Sequence, residues 1–211
     1  MPDLTLAEGG SPRPVLTFRG QRSDGSTFST IYRVMAGMGA GAGFDGLSAI
    51  AFPANTHSTA IELVEQAAPL RFLEKSLRRG SGGEGRWRGG LGQRVRIEMA
   101  SEQPMRILIS PGRTKFPAVG VAGGGPGALG GITLNGRDVT WSGAAAVAHQ
   151  GDVLVVHSSD GGGNGPARER SDALIQRDLA EALIGDDIDS GGAEPGSGLL
   201  PPENLPDYAA T

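Results

Sequence analysis

The side chains able to do chemistry gather in a few short stretches. Asn55-Thr56-His57-Ser58-Thr59, followed by Glu62, is a dense polar group between apolar segments, and Asp45 precedes it. Polar side chains concentrated on loops are where a scaffold holds a ligand. Asp45, Asn55, Thr56 and Glu62 are therefore the candidates for a substrate-facing group. The histidines are His57, His149 and His157, and none stands in an H-E-x-x-H or H-x-H arrangement. His57 is a weak metal-ligand candidate, and no metal site is read on this chain. A Ser–His–Asp set can be written from Ser58, His157 and Asp160, but no nucleophile elbow accompanies it. With no cysteine in the chain, disulfides, thiolate zinc sites, iron–sulfur clusters and cysteine nucleophiles are excluded.

The glycine clusters offer a second kind of chemistry, through backbone amides. Gly41-Ala-Gly43-Phe-Asp-Gly46 fits G-x-G-x-x-G, and Glu62 and Glu65 follow at about the spacing of a dinucleotide fold. Pro53 arrives too early for the helix that such a site needs, so the glycines read as a place of close backbone approach. Gly120 to Gly131 contains no Walker-type phosphate loop. Gly161 to Gly165 ends a strand and precedes Pro166, where a helix start could bind an anion or simply turn the chain.

The elements that must position these groups are mostly strands. Val15 opens a β-rich region, and Thr27–Val34 is β-branched and aromatic. Leu70–Leu77 is a strand candidate with Leu70, Phe72 and Leu73 inward. Gln93–Met99 alternates cleanly, placing Val95, Ile97 and Met99 on one face. Met105–Ile109, Ile132–Leu134, Val139–Trp141 and Val153–Val156 are further short strands, and Asn135-Gly136 marks a tight hairpin turn. Ile61–Gln66 fits a strand or a helical turn. One helix is expected after Pro166, running to about Ile184, with Leu174, Ile175, Leu179, Ala182 and Leu183 as its apolar stripe. The fold class is mainly β (α+β), a glycine-rich β-sandwich or barrel-like domain closed by one C-terminal helix. Residues 1–14 read as a flexible lead-in, 15–185 as the domain, and 186–211 as a disordered acidic tail rich in Gly, Pro and Ser.

Composition narrows the classes. The 211 residues include 36 glycines and 14 prolines, which leaves material for one thin core. No membrane span and no secretory leader are read, so a cytoplasmic location is expected. The formal net charge is −4, yet residues 71–96 are strongly basic and residues 160–207 strongly acidic, so the two segments should meet each other or a partner. The pI of about 5.4 and the lack of a binding motif argue against a nucleic-acid partner.

The order of the glycine clusters carries more than their chemistry. Phe44-Asp45-Gly46, then Asn55-Thr56 with Glu62 and Glu65, then Pro69-Leu70-Arg71 come first. Gly80-Ser81-Gly82-Gly83-Glu84-Gly85-Arg86-Trp87-Arg88-Gly89-Gly90-Leu91-Gly92 follows, and Gly120–Ala128 and the Gly161–Gly165 turn complete the series. This series resembles the C-terminal portion of the hydantoinase B / 5-oxoprolinase family over about residues 15–185. The resemblance implies a subunit or split portion of an ATP-dependent amidohydrolase that opens a hydantoin, 5-oxoproline or other lactam ring. A related implication is a component of an acetone- or acetophenone-type carboxylase; a third reading is a non-catalytic assembly module or truncated remnant. No cofactor is expected on this chain. ATP with Mg2+ would sit on a hydantoinase A-like partner, and a divalent metal on a separate N-terminal B-type segment. Gly82, Gly83, Gly85, Arg86, Trp87, Arg88, Gly89 and Gly90 are expected to brace the fold or a subunit interface, because packed glycines around one Trp suit close backbone contact. The chain departs from the family at Ile50-Ala51-Phe52-Pro53, and at Asn164 and Pro166, where a tyrosine and an aspartate usually stand. It is therefore not expected to be active alone.

Overall fold

The computed structural model describes residues 5–140 and 145–184. Among these residues, nine strands form two antiparallel sheets. Strands β1 (Val15–Gln21), β2 (Thr27–Arg33), β5 (Met105–Ser110) and β8 (Ala146–Ala148) make the first, in the order β2-β1-β5-β8. Strands β3 (Leu70–Leu77), β4 (Gln93–Met99), β9 (Val153–His157), β6 (Gly131–Leu134) and β7 (Arg137–Asp138) make the second, in the order β3-β4-β9-β6-β7. Both sheets are open, so the fold is a sandwich and not a barrel.

Period-two alternation builds the core. Leu16, Phe18, Met105 and Ile107 from the first sheet meet Val95, Ile97, Met99, Leu154 and Val156 from the second in one buried cluster. Tyr32 on β2 and Phe72 on β3 pack edge to face across the two sheets, with ring centroids 4.9 Å apart. Burying such side chains contributes roughly 1.5–3 kcal/mol each. Leu73, expected to face inward with Leu70 and Phe72, is exposed instead. The β3–β4 register shifts between Phe72 and Glu74, and Leu73 is the extra residue of that bulge.

The Asn135-Gly136 turn is present, with φ of 49° and 78°. It pairs Leu134 with Arg137, which sets the return strand at Arg137–Asp138. The strand expected over Val139–Trp141 is therefore displaced, and Trp141 lies outside the described residues. The pairing continues past the return strand through Val139 N, which donates to Ile132 O at 3.0 Å, and through Thr140 Oγ1, which accepts from Ile132 N at 2.9 Å.

Ile61–Ala67 is a helix, α1, held down by buried Val64. The C-terminal helix is shorter than expected. A 3-10 turn at Ala167–Glu169 is followed by extended backbone at Arg170 and Ser171, and only then by α2 (Asp172–Ala180). Its buried residue is Asp178, while Leu179 is 48% exposed. The apolar stripe read from the sequence is thus not the face that anchors it.

Between the sheets and α2, four glycine-rich segments and residues 5–10 run side by side. Ala7 N donates to Ala40 O, Ala40 N to Gly162 O, Gly162 N to Glu8 O, and Glu8 N to Val119 O, all within 2.8–3.0 Å. The expected lead-in is, from Thr5 onward, one of these packed threads. The residue type is set by approach distance. A Cβ built at Gly37 would lie 1.8 Å from Gly90 O, and one at Gly89 1.9 Å from Gly161 O. The acidic tail expected over 186–211 lies outside the described residues.

Candidate functional site

Two buried carboxylate centres organise the glycine-rich end of the molecule, and a cleft opens beside each. The first centre begins at Asp45. Its Oδ1 accepts from Arg88 N at 2.7 Å and from Arg170 Nη1 at 2.7 Å, and its Oδ2 accepts from Arg170 Nη2 at 2.9 Å and from Arg177 Nη2. Arg170 also reaches Asp178 Oδ2, which Arg88 Nε approaches at 3.2 Å. Asp178 is fully buried. Burial alone would raise the Asp45 carboxyl, but the bonds from Arg170, Arg88 N and Arg177 outweigh it and hold the group down at about 2. The break in helix at Arg170–Ser171 lets Arg170 turn back between the two carboxylates. The adjoining cleft, about 440 Å³, is lined by Phe44, Leu47, Trp87, Leu174, Arg177 and Leu183 among others.

The second centre is Asp160, also fully buried. Its Oδ1 accepts from Gly92 N and lies 2.7 Å from Ser81 Oγ, and its Oδ2 accepts from Arg78 Nη1 at 2.8 Å. Arg78 Nη1 also donates to Leu129 O at 3.0 Å and to Ser158 O. Here burial wins. It pushes the Asp160 carboxyl up to about 6 against the lowering pull of Arg78, Ser81 and the Gly92 amide. The adjoining cleft, about 470 Å³, is lined by residues Arg78 to Gly82, Glu84 and Gly125 to Ala128.

The candidate residues from the sequence separate. Asp45 lies in the arginine network. Asn55, Thr56, His57 and Glu62 are exposed and line neither cleft. Asn55 has φ of 46°, and Thr56 Oγ1 accepts from Arg13 Nη2 at 2.7 Å. The Ser58–His157–Asp160 set is not assembled, because Ser58 Oγ accepts from Lys75 Nζ at 2.9 Å and Asp160 belongs to Arg78, Ser81 and Gly92.

The glycine–tryptophan run is woven through the interior. Gly83 N donates to Gly161 O at 2.8 Å, Gly89 N to Gly83 O at 2.9 Å and Gly90 N to Met38 O at 2.8 Å. A Cβ at Gly82 would lie 2.2 Å from Gly89 O, and one at Gly85 2.7 Å from Trp87 O. Trp87 and Asn164 exchange two backbone bonds of 2.9 Å. Arg86 lies over the Trp87 ring at 5.9 Å, and Arg88 is buried. The Gly161–Gly165 turn is not an anion cradle. All five of its amides donate to backbone carbonyls, those of Gly90, Glu8, Gly125, Trp87 and Val121.

The basic and acidic segments do meet: Arg78–Asp160, Arg86–Glu169 and Arg88–Asp178 pair them. Among the described residues, no three His, Asp or Glu side chains converge as metal ligands. No helix there is long and apolar enough to cross a membrane.

The family model described as Hydantoinase B/oxoprolinase matches residues 1–167. An uncharacterized protein of Methanocaldococcus jannaschii is 36% identical over 130 residues, which cover 60% of this chain and 23% of the relative. The 5-oxoprolinase PfmaA of Pestalotiopsis fici is 29% identical over 160 residues, 68% of this chain and 12% of the relative. Among solved structures, the ATP-dependent caprolactamase from Pseudomonas jessenii aligns with a TM-score of 0.70 at 23% identity, covering 87% of this chain and 34% of that one. A nucleotide-free acetone carboxylase aligns with a TM-score of 0.64 at 19% identity, covering 82% and 28%. The chain thus spans a minor part of the length of each.

Proposed function

Since the chain belongs to the hydantoinase B/oxoprolinase family, we propose that it is one portion of an ATP-dependent enzyme that opens a cyclic amide such as a hydantoin, 5-oxoproline or another lactam. The observation that carries this reading is the family match over residues 1–167, supported by a relative named as a 5-oxoprolinase. An amide carbonyl is a poor electrophile, and phosphorylating its oxygen makes a leaving group, so the chemistry calls for a nucleotide-binding partner. In this reading a hydantoinase A-like subunit binds ATP with Mg2+, a B-type segment supplies the remaining machinery, and the complex works in the cytoplasm.

The described residues bring no ligand set together, and the histidines are spread over His57, His149 and His157. The proposal keeps the metal on the companion segment, as the resemblance to the family implies. It assigns Asn55, Thr56 and Glu62 to the face turned toward the substrate side, because they are exposed polar groups on the loop and first turn leading into α1. Asp45, a substrate-side candidate from the sequence, is assigned instead to support of the loop, because Arg170, Arg177 and the Arg88 amide occupy its oxygens, and the Gly82–Gly90 run is assigned to bracing the fold.

A second reading, a ketone-carboxylase component, draws on the likeness to acetone carboxylase. Affinity purification of the tagged chain from its native cell tests both. Co-purification of an A-type ATPase, with ATP hydrolysis stimulated by a lactam and indifferent to bicarbonate, is the expected result. Bicarbonate-dependent turnover with a ketone would replace the first reading by the second. Recovery of the folded chain with no partner would leave an independent module and sink both.

A further inference from the structure

The cleft above Asp160 contains a hydrogen-bond arrangement that depends on one proton. Ser81 Oγ lies 2.5 Å from Arg78 O and 2.7 Å from Asp160 Oδ1. Both neighbours are acceptors when Asp160 is ionised, and a hydroxyl has one proton to give. Both contacts become hydrogen bonds only when Asp160 is protonated. Asp160 then donates to Ser81 Oγ, and Ser81 donates to the Arg78 carbonyl. When Asp160 is ionised, Ser81 turns its proton to the carboxylate and the Arg78 carbonyl loses this partner.

The charge around the cleft changes with that proton. Arg78 and Arg79 line it, against one lining carboxylate, Glu84. With Asp160 ionised behind Ser81, the four groups sum to zero. With Asp160 protonated, they leave one positive charge at the cleft. The three side-chain bonds of Arg78 all leave from Nη1, so none of them uses its Nε or Nη2 groups. The other elements packed on Asp160 present uncharged groups: the Gly92 amide, the Ala128 carbonyl that accepts from Asp160 N, and backbone at Gly127. His157 stands three residues earlier on β9 and is the nearest titratable group in sequence.

We propose that this cleft is a proton-coupled anion site, which takes a small carboxylate at Arg78 and Arg79 while Asp160 takes a proton. A monoanion matches the single charge that protonation uncovers. The ligand's charge in turn disfavours ionised Asp160, so anion and proton bind together. This site stands apart from the functional reading above, because it needs only residues of this chain.

The test is a formate titration of the full chain at constant ionic strength, followed by backbone amide NMR at pH 5.5 and pH 7.5. Shifts are expected at Gly80–Gly82 and Gly125–Ala128. If formate binds only the protonated form, a carboxyl titrating near 6 makes apparent affinity about 25-fold higher at pH 5.5, the ratio of protonated fractions. The three histidines titrate in the same window, so Asp160→Asn separates the causes. It should bind formate equally at both pH values, and Arg79→Ala should weaken binding at both. Should Asp160→Asn fail to fold, the Asp160 carboxyl carbon of the unaltered chain decides. A titration midpoint that rises on adding formate supports the site. An unmoved midpoint, affinity equal at the two pH values, or shifts outside the cleft would overturn it.

Discussion

Asp45, half-buried, and Asp160, fully buried, are carboxylates at the glycine-rich end, each beside an open cleft, and their protonation is driven in opposite directions. The difference lies in how deeply each is buried and in how many cationic donors each receives. Asp45 takes both nitrogens of Arg170, a further bond from Arg177, and the Arg88 amide. Asp160 takes one nitrogen of Arg78, and that nitrogen is shared with two carbonyls. Burial raises a carboxyl in both places, and at Asp45 the forked Arg170, the Arg88 amide and Arg177 together outweigh it. One centre is therefore a fixed clamp that ties α2 to the Gly37–Gly46 loop. The other is a proton-exchanging group behind a cleft.

Removing the fork should have the largest effect. Arg170→Met strips Asp45 of its bidentate partner and leaves the fully buried Asp178 with Arg88 and the partly exposed Arg177. Breaking a buried pair from one side costs about 3–5 kcal/mol. Urea unfolding of the variant should show a loss of that size, together with early exposure of α2. A loss under about 1 kcal/mol would mean that the clamp is decorative.

The next effect separates the centres by pH. Asp160 titrates near 6, above the ordinary value of 3.8, so the native state holds its proton longer than the unfolded chain does. Its favourable contribution is fully present below about pH 4 and is lost as pH rises through 6. The difference amounts to about 3 kcal/mol by pH 7.5. Asp45, depressed to about 2, behaves in the opposite sense: its contribution is present above pH 4 and is lost as pH falls through 2. Stability measured from pH 4 to 7.5 should therefore fall in the unaltered chain relative to Asp160→Asn. Parallel curves would contradict the raised carboxyl.

These centres also mark where the sequence could and could not be read. Strand β4 was legible because Val95, Ile97 and Met99 alternate with charged residues and are all buried. The Asn135-Gly136 turn was legible because two positive-φ residues in tandem fit one turn type. Helix α2 was misread because its periodic leucines suggested an apolar anchor, when an aspartate holds it down. Arg170 and Asp45 are 125 positions apart, and Arg78 and Asp160 are 82 apart. No local periodicity encodes such pairs. The available signal was coarser: the basic segment 71–96 and the acidic segment after residue 160 had to find each other, and three ion pairs show that they do. Asp160 itself stood in view only as the acid of the Ser58–His157–Asp160 set, and nothing near it in sequence pointed to Arg78 or Ser81.

The smallest effect tests the logic of exposure. Arg177 makes a bond to Asp45 and lies 3.3 Å from Asp178, so on paper it looks like an equal member of the clamp. Its side chain is 44% exposed, against 9% for Arg170. Water already solvates the guanidinium, and the carboxylates it touches keep Arg170 and Arg88 after it is gone. Arg177→Ala should cost under about 1 kcal/mol, and raising salt should erase most of that. The double variant with Arg170→Met should lose more than the sum of the two, because Arg177 becomes the only side-chain cation left on Asp45. Simple additivity would show that the two arginines act separately, and that the clamp is one fork with an ornament.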